Sequence, residues 1–414
     1  MRVIEPYQLH AVKRKRQRRK LRKLPLVLLL IFCIGIGVGV QRFRRPLPDP
    51  TVTLVKLVSS PTEPLITWPT TGQAAIGASG YGLLTSTDNQ KPVPTASTAK
   101  IITALIVLDK KPLRLGQQGD QIAITENDVA IYNKYVAQQG SVLPVQVGGT
   151  LTEYQALQAL LIVSANNIAE GLANWAFGSE AAYAKAANTY VRKHGLKQTT
   201  IADASGFSPN TVSTASDMVR LGAKLLEQPV LAEIVSQAQA ELPMAGVITN
   251  TNRLLGQDGI NGIKTGHTDE AGGCYIVSSL YQAPNGKQVT VVTAVMAAPT
   301  LIDAMNSALP LLTRTKQGFI DNQAITAGQR FATARSAWGT QAIMVAEKDA
   351  SLFGWRYHPA TLTSTITPTV ARDRQPVGMA TARLGNETAS VRIFQNGTLG
   401  KPNFWWKLRR VFTN

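Results

Sequence analysis

Fifteen consecutive residues without a charge, Leu26 to Val40 (LVLLLIFCIGIGVGV), follow a stretch, Met1 to Lys23, with ten Lys/Arg and a single acid, Glu5. No other feature of the chain narrows its possible folds so much, because a run of this kind with cations ahead of it suits a bilayer. As helix it is about 22 Å long at about 1.5 Å per residue, short of a hydrocarbon core of about 30 Å. Adding Leu24 and Pro25, and letting the flanking arginines snorkel, makes a span feasible. The upstream cations predict a cytoplasmic N-terminus, which sends everything after Arg45 to the outer face. A cleaved signal peptide is the rival reading, since its apolar region can be this short and Gly37 and Gly39 imitate a small-residue cleavage site. Arg42, Arg44 and Arg45, just beyond the run, suit a retained anchor better. Either way the remainder is exported.

The net charge of +18 and a pI near 10.0 invite a nucleic-acid reading. Most of that charge lies before Pro46, ahead of an apolar run and not interleaved with aromatics along a fold, so no nucleic-acid partner is expected. With 44% hydrophobic and 16% charged residues the chain can bury a core, and its 414 residues suggest two or three domains. Cys33 and Cys274 are too few for a disulfide framework. His10, His194, His267 and His358 show no i, i+4 pair, and there is no P-loop or strand-linked G-x-G-x-x-G. No metal and no cofactor are therefore expected.

Beyond the run, Pro46, Pro48 and Pro50 favour an extended spacer. Ala74 to Ala78 and Tyr81 to Ser86 read as a hairpin across a Ser-Gly turn. Ala96 to Leu108 is rich enough in apolar residues for a buried helix, although its β-branched content permits strand. Thr152 with Gln155, and Thr214 with Asp217, have the spacing of helix N-terminal capping pairs. Cys274 to Leu280 and Val289 to Val295 flank a turn at Pro284, Asn285 and Gly286, which predicts an antiparallel hairpin preceded by a strand through Ile263 to Gly266. A last helix is expected near Leu301 to Leu312. The pattern as a whole predicts an α+β fold, helices on an antiparallel sheet. The short β-prone stretches of Ala324 to Gly397 read as a separate small β domain.

With metals and nucleotides set aside, serine chemistry remains. Ser97-Thr98-Ala99-Lys100 is an S-x-x-K motif, which on a helix puts the amine beside the hydroxyl. A lysine whose pKa is lowered by burial and nearby cations can take the serine proton at neutral pH, and Ile101, Ile102 and Leu105 supply apolar surroundings. Chance yields about one S-x-x-K in a chain of this size and composition. Ser164-Ala165-Asn166 after an apolar helix is by itself a helix-terminating cluster. Lys264-Thr265-Gly266 is by itself an edge strand with an exposed lysine, except that Gly266 would let a ligand approach the backbone closely. All three in this order are much harder to obtain by accident.

At this point the chain resembles the serine-type D-alanyl-D-alanine carboxypeptidases, the low-molecular-mass penicillin-binding proteins, whose elements are S-x-x-K, S-x-N and K-T-G. The segments PTASTAKIITAL (94–105), LLIVSANNIAEGLA (160–173), ASGFSPNTVSTASDM (204–218) and GIKTGHTDEAGGC (262–274) carry the likeness, which covers roughly Trp68 to Leu312. ANTYVRKHGL (187–196) departs from it, since members commonly have a Met-Asn pair there. The resemblance implies a penicillin-binding-protein/β-lactamase-like catalytic domain over 66–316. Ahead of it stand a basic cytoplasmic tail (1–23), a membrane helix (24–41) and a linker (42–65). A β domain (320–400) and an amphipathic membrane-associating segment (403–414) follow. It implies Ser97 as nucleophile, Lys100 as base and Ser164 as proton relay to the leaving amine. Asn166 would hold the peptide amide, Lys264 and Thr265 the terminal carboxylate, and the N–H groups of Ser97 and His267 the oxyanion, with Gly266 between them in the binding strand. The implied partners are a peptidoglycan stem peptide, β-lactams as covalent inhibitors, and the membrane.

Three alternatives accompany this reading. A D,D-endopeptidase would cut a similar D-Ala bond within crosslinks. A serine β-lactamase of the most familiar class would have Ser-Asp-Asn where Ala165 stands, and a deacylating glutamate that this sequence does not identify. A non-catalytic penicillin-binding wall module would keep the fold without turnover, which the full set of reactive groups disfavours. For Asn403 to Asn414, Phe404, Trp405, Leu408, Val411 and Phe412 recur at helical spacing with cations elsewhere around the wheel. That pattern suits either an anionic membrane interface or docking on the β domain.

Overall fold

The computed structural model describes residues 6–56, 66–368 and 374–412, with the side chains of 6–24 left out. The second part of the expected linker (57–65), the first five residues of the basic tail and the last two of the C-terminal segment lie outside the described residues.

Five antiparallel strands build the central sheet, in the order Ile260–Thr268, Gly272–Gln282, Gln288–Ala298, Gln73–Ala78, Gly82–Ser86. The long hairpin has its turn where the Pro-Asn-Gly signal put it, closed by Ala283 N–H donating to Lys287 O at 2.8 Å. Alternation along the strands gives the sheet two apolar faces. Ala75, Ile276, Val292 and Ala294 point into one cluster, and Ala74, Ile76, Tyr275, Val277, Val291 and Val295 into the other. The first face is covered by helices Lys100–Lys110, Glu153–Leu161, Asn166–Phe177, Glu180–Lys193 and Ala215–Leu226. The second is covered by Leu301–Gly318. The layering is α+β, helix on sheet on helices.

Local sequence explains where these helices begin. Thr152 and Gln155 form a reciprocal capping box, and Thr214 Oγ1 accepts from Asp217 N–H at 3.2 Å. Each such cap contributes about 1 kcal/mol. The S-x-x-K segment is not one uniform helix: Ala96–Ala99 is a 3₁₀ turn that leads into Lys100–Lys110.

The C-terminal strands Arg330–Arg335, Gln341–Ala346, Thr361–Ile366, Gln375–Leu384 and Glu387–Asn396 belong to a six-stranded antiparallel sheet around Phe331, Met344, Val391 and Ile393. Its sixth member corrects the expectation of a linker over 42–65. The N-terminal helix runs as far as Phe43, and Thr51–Leu54 is an edge strand on Arg330–Arg335, with Thr51 opposite Arg335 and Leu54 opposite Ala332. The reason is local. The proline series that favours a spacer ends at Pro50, and TVTL, rich in β-branched residues, finds an open sheet edge.

One helix among the described residues is long and apolar enough to cross a membrane, over Pro25–Phe43 and with none of that stretch buried in protein. It fits a single-pass anchor or a signal sequence. The C-terminal helix Phe404–Phe412 touches the end of the N-terminal helix and the C-terminal sheet. Phe404 meets Phe43 with ring centroids 5.9 Å apart, Arg42 donates to Val411 O at 3.1 Å and Arg410 donates to Pro46 O at 2.6 Å. Trp406 meets Trp338 of the β sheet unit edge-on at 5.6 Å. Phe404, Trp405 and Phe412 remain exposed.

Candidate active site

Ser97 lies in the 3₁₀ turn just ahead of helix Lys100–Lys110, and its approach is strained. Ala96 is held at φ 46°, a left-handed conformation that costs a non-glycine residue about 1–3 kcal/mol. The neighbouring chain holds it there: Gly206 packs so closely that a Cβ on it would stand 1.9 Å from Ala96 O.

The Lys100 amine is fully buried and meets three oxygens: Ser97 Oγ at 2.8 Å, Asn166 Oδ1 at 2.6 Å and Ser205 O at 2.9 Å. Two of these, an amide carbonyl and a backbone carbonyl, can only accept. A neutral amine has two N–H donors and one lone pair, so once deprotonated it directs its lone pair at the one partner with a proton to give, Ser97. Its pKa lies well below the ordinary lysine value, first through burial, then through the positive Lys264, with Asp203 pulling the other way.

Ser164 is buried at φ 66°, between helices Glu153–Leu161 and Asn166–Phe177. Its hydroxyl is not among the hydrogen-bond partners of the Lys100 amine; Asn166 occupies that place. Asn166 is fixed from behind by its N–H, which donates to Ser141 O at 2.7 Å. The next residue, Asn167, clamps both backbone groups of Leu143 at 3.0 and 2.9 Å.

The opposing wall is strand Ile260–Thr268. A Cβ on Gly266 would lie 2.9 Å from Ser97 N and 3.0 Å from Thr98 N, so only glycine lets the strand pass this close to the nucleophile's amide. Lys264, which the motif alone read as an exposed lysine on an edge strand, is fully buried and donates to Thr265 O at 3.0 Å. Burial lowers its pKa to about 7. Thr265 Oγ1 is 2.8 Å from Thr251 Oγ1. His267 is exposed and pairs with Gly273 across the sheet. Cys274 lies opposite Gly266, free and buried, its thiol pushed up to about 11 by burial, which suits a packing role. No group of three or more His, Cys, Asp or Glu residues able to hold a metal occurs among the described residues.

The structure therefore gathers Ser97, Lys100, Asn166, Lys264 and Gly266 around one point. Sequence reasoning missed Ser205, whose backbone carbonyl touches Lys100, and Thr251 behind Thr265. A carbonyl carries no side-chain signal, and the only available hint was the glycine of ASGFS beside small residues.

A serine and a buried lysine in contact, beneath an antiparallel strand and between sheet and helices, form the candidate site, and the fold around them is that of the penicillin-binding proteins. The family model described as D-alanyl-D-alanine carboxypeptidase, Peptidase_S11, matches residues 74–300, and the chain belongs to that family. It is 30% identical over 217 residues to a D-alanyl-D-alanine endopeptidase of Pseudomonas aeruginosa, covering 48% of this chain and 66% of that one. It is 28% identical over 242 residues to the D-alanyl-D-alanine carboxypeptidase DacA of Escherichia coli, 58% of each chain. These matches span between half and two-thirds of the relatives' length. Among solved structures, penicillin binding protein 6B from Escherichia coli superposes with TM-score 0.59 at 20% identity, over 82% of this chain and 99% of that one. Penicillin binding protein 5 from Haemophilus influenzae gives 0.57 at 21%, over 81% and 100%. These two likenesses concern the fold.

Proposed function

We propose that the protein is a serine D-alanyl-D-alanine carboxypeptidase that removes the terminal D-Ala of peptidoglycan stem peptides. The observation that carries this is the buried Lys100 amine, 2.8 Å from Ser97 Oγ, with its other two partners able only to accept. Ser97 Oγ attacks the carbonyl carbon between the two D-alanines as Lys100 takes its proton. The negative charge that develops on the carbonyl oxygen is met by the N–H groups of Ser97 and His267. The C–N bond breaks as the proton taken up by Lys100 reaches the leaving amine by way of Ser164, and water, deprotonated in turn by the neutral Lys100, then hydrolyses the acyl-enzyme. Lys264 and Thr265 hold the substrate carboxylate, beside Gly266, and Asn166 both orients Lys100 and faces the peptide amide. β-Lactams enter the same path and remain on Ser97.

In this reading 66–316 is the catalytic domain and 320–400 a β domain. Pro25–Phe43 is a single membrane span with the basic segment 1–23 on the cytoplasmic side and the site on the outer face. Helix Phe404–Phe412 rests at the membrane surface, its exposed aromatics at headgroup depth. Endopeptidase activity is the second reading, because relatives with either name match at similar identity. Incubating the purified outer portion with a pentapeptide and with crosslinked peptide dimers separates the two. Release of D-Ala from the pentapeptide, with dimers left intact, is the expected result; dimer cleavage alone overturns it in favour of the endopeptidase.

A further inference from the structure

Asp203 is buried and no cation among the described residues is bonded to it, although it lies one loop away from the reacting groups. Its Oδ2 accepts from Ser205 N–H at 3.2 Å, Ser205 Oγ at 2.7 Å and Phe207 N–H at 2.9 Å. Its Oδ1 accepts from Thr211 Oγ1 at 2.5 Å. Thr211 Oγ1 in turn accepts from Ala202 N–H at 3.0 Å and Asp203 N–H at 3.1 Å, so the loop closes on itself. All four groups bonded to the carboxylate are neutral. A buried carboxylate without an ion pair is costly, and neutral donors alone do not require a charge.

The loop held in this way does two things at the nucleophile. Ser205 O accepts from Lys100 Nζ, and Ala204 O accepts from Thr103 Oγ1 at 2.7 Å on the next turn of the same helix. Gly206, within the span that Asp203 braces, is the residue pressed against Ala96 O. Displacing Asp203 would thus loosen both the amine and the strained turn that carries Ser97.

We infer that Asp203 is a positioning residue for acylation: its carboxylate braces the 203–211 loop that holds the Lys100 amine, and its negative charge acts on that amine. This rests on Lys100 being the base. The charged and titratable groups around the pair are few. Lys264 faces Lys100 from strand Ile260–Thr268 and opposes its protonation. Glu180 and Tyr183 on helix Glu180–Lys193 both feel Asp203, and Glu180 Oε1 accepts from Ala204 N–H at 3.4 Å. Glu170 on helix Asn166–Phe177 is paired to Lys134 at 2.5 Å, and Tyr135 lies beside both. Asp203 is the one group among them that acts on Lys100 so as to favour its protonated form.

Acylation needs neutral Lys100, so its rate climbs with pH as the ammonium loses its proton. Removing the Asp203 charge favours the neutral amine and moves that climb to lower pH. Asp203→Asn can place its Oδ1 where Oδ2 stands and keep three of the four bonds, which separates charge from brace. Thr211→Val removes the fourth bond, together with the acceptor of the Ala202 and Asp203 N–H groups, and keeps the charge.

The test is the rate of acylation by a fluorescent penicillin from pH 5 to 9 on the full chain and the two variants, read as the rising limb and the plateau it reaches before loss of the Lys264 proton lowers the rate, with folding checked by thermal unfolding. For Asp203→Asn the rising limb is expected to move acidward by about one pH unit while the plateau falls about tenfold. For Thr211→Val the plateau falls and the limb stays. An unmoved limb in folded Asp203→Asn overturns the inference and leaves the function reading intact. An acidward shift in Thr211→Val as large as in Asp203→Asn also overturns it, because loop displacement would then account for both. Should Asp203→Asn not fold, Thr211→Val alone decides, on the same criterion of an unmoved limb with a lowered plateau. A wild-type protein that penicillin does not acylate defeats the function reading, and this inference with it.

Discussion

Around the central sheet the chain buries the lysines Lys100, Lys264 and Lys316, together with the carboxylates of Glu153, Glu170, Asp203 and Asp217. Around the C-terminal sheet it buries Phe331, Met344, Val391 and Ile393, and among the described residues there the buried polar side chains are Ser336 and Gln395. Charge burial costs several kcal/mol per ion even after relaxation, whereas a packed apolar side chain contributes about 1.5–3 kcal/mol. The first interior accepts an energetic cost that the second avoids, and one of its charges, Lys100, touches Ser97. Asp217 shows the limit of that statement. It is paired to Arg220 at 3.0 Å and bonded to Thr199 Oγ1 at 2.9 Å, a structural use of charge at the start of a helix.

The contrast is most exposed at Ser97. Ser97→Ala should abolish labelling by a fluorescent penicillin while unfolding temperature stays within a degree or two of wild type, because one half-buried hydroxyl is lost and the Lys100 amine keeps its bonds to Asn166 and Ser205. Labelling at the normal rate would remove the chemical reason for the buried lysines.

The lysines come next. Lys100→Arg should lower the acylation rate by about 10³-fold, since a guanidinium does not deprotonate near neutrality. Lys264→Arg should retain more activity than Lys264→Ala, because it keeps the cation and changes only donor geometry. With Lys264 at about 7, kcat/KM for a substrate with a free carboxylate should fall as pH rises through 7, where the ammonium is lost. Stability should move the other way. Between about 7 and the ordinary lysine value of 10.5 the unfolded chain holds a proton that the folded one does not, so the Lys264 contribution to stability grows with pH there. A pH titration of kcat/KM beside a denaturant series checks both slopes, and parallel slopes would contradict the assignment.

The smallest expected effect on chemistry comes from the other interior. Phe331→Ala should destabilise the C-terminal sheet by about 3–5 kcal/mol. Acylation of Ser97 should stay within about twofold of wild type, as measured beside the unfolding curve. A proportionate loss of acylation would mean that the two interiors are energetically one.

Much of this was legible in the sequence because its causes are local or periodic. Alternation in Gly272–Gln282 and Gln288–Ala298 and the caps at Thr152 and Thr214 depend on neighbours within a few positions. The three motifs were legible as a set. What could not be read depends on distant partners. TVTL at 51–54 becomes a strand only because Arg330–Arg335 leaves an edge open. Lys264, read alone as an exposed lysine on an edge strand, is buried because helices cover that face of the sheet. The displacement of Ser164 by Asn166 at the Lys100 amine turns on a single left-handed residue between two helices, and Ser164 itself gave no sign of it.

The pairing of Thr51–Leu54 with Arg330–Arg335 also dictates an order of events. A strand that leaves the ribosome early has to wait for a partner nearly 280 positions later, and Arg42 waits still longer for Val411, 369 positions on. At roughly 5–20 residues per second, that first delay is on the order of 15 to 55 seconds. The central sheet and its helices close before either contact exists, since Gln73–Ala78 and Gln288–Ala298 are both complete by then. The central sheet is therefore assembled while both flanking segments are still unpaired, and the contact between the N-terminal helix and helix Phe404–Phe412 forms afterwards.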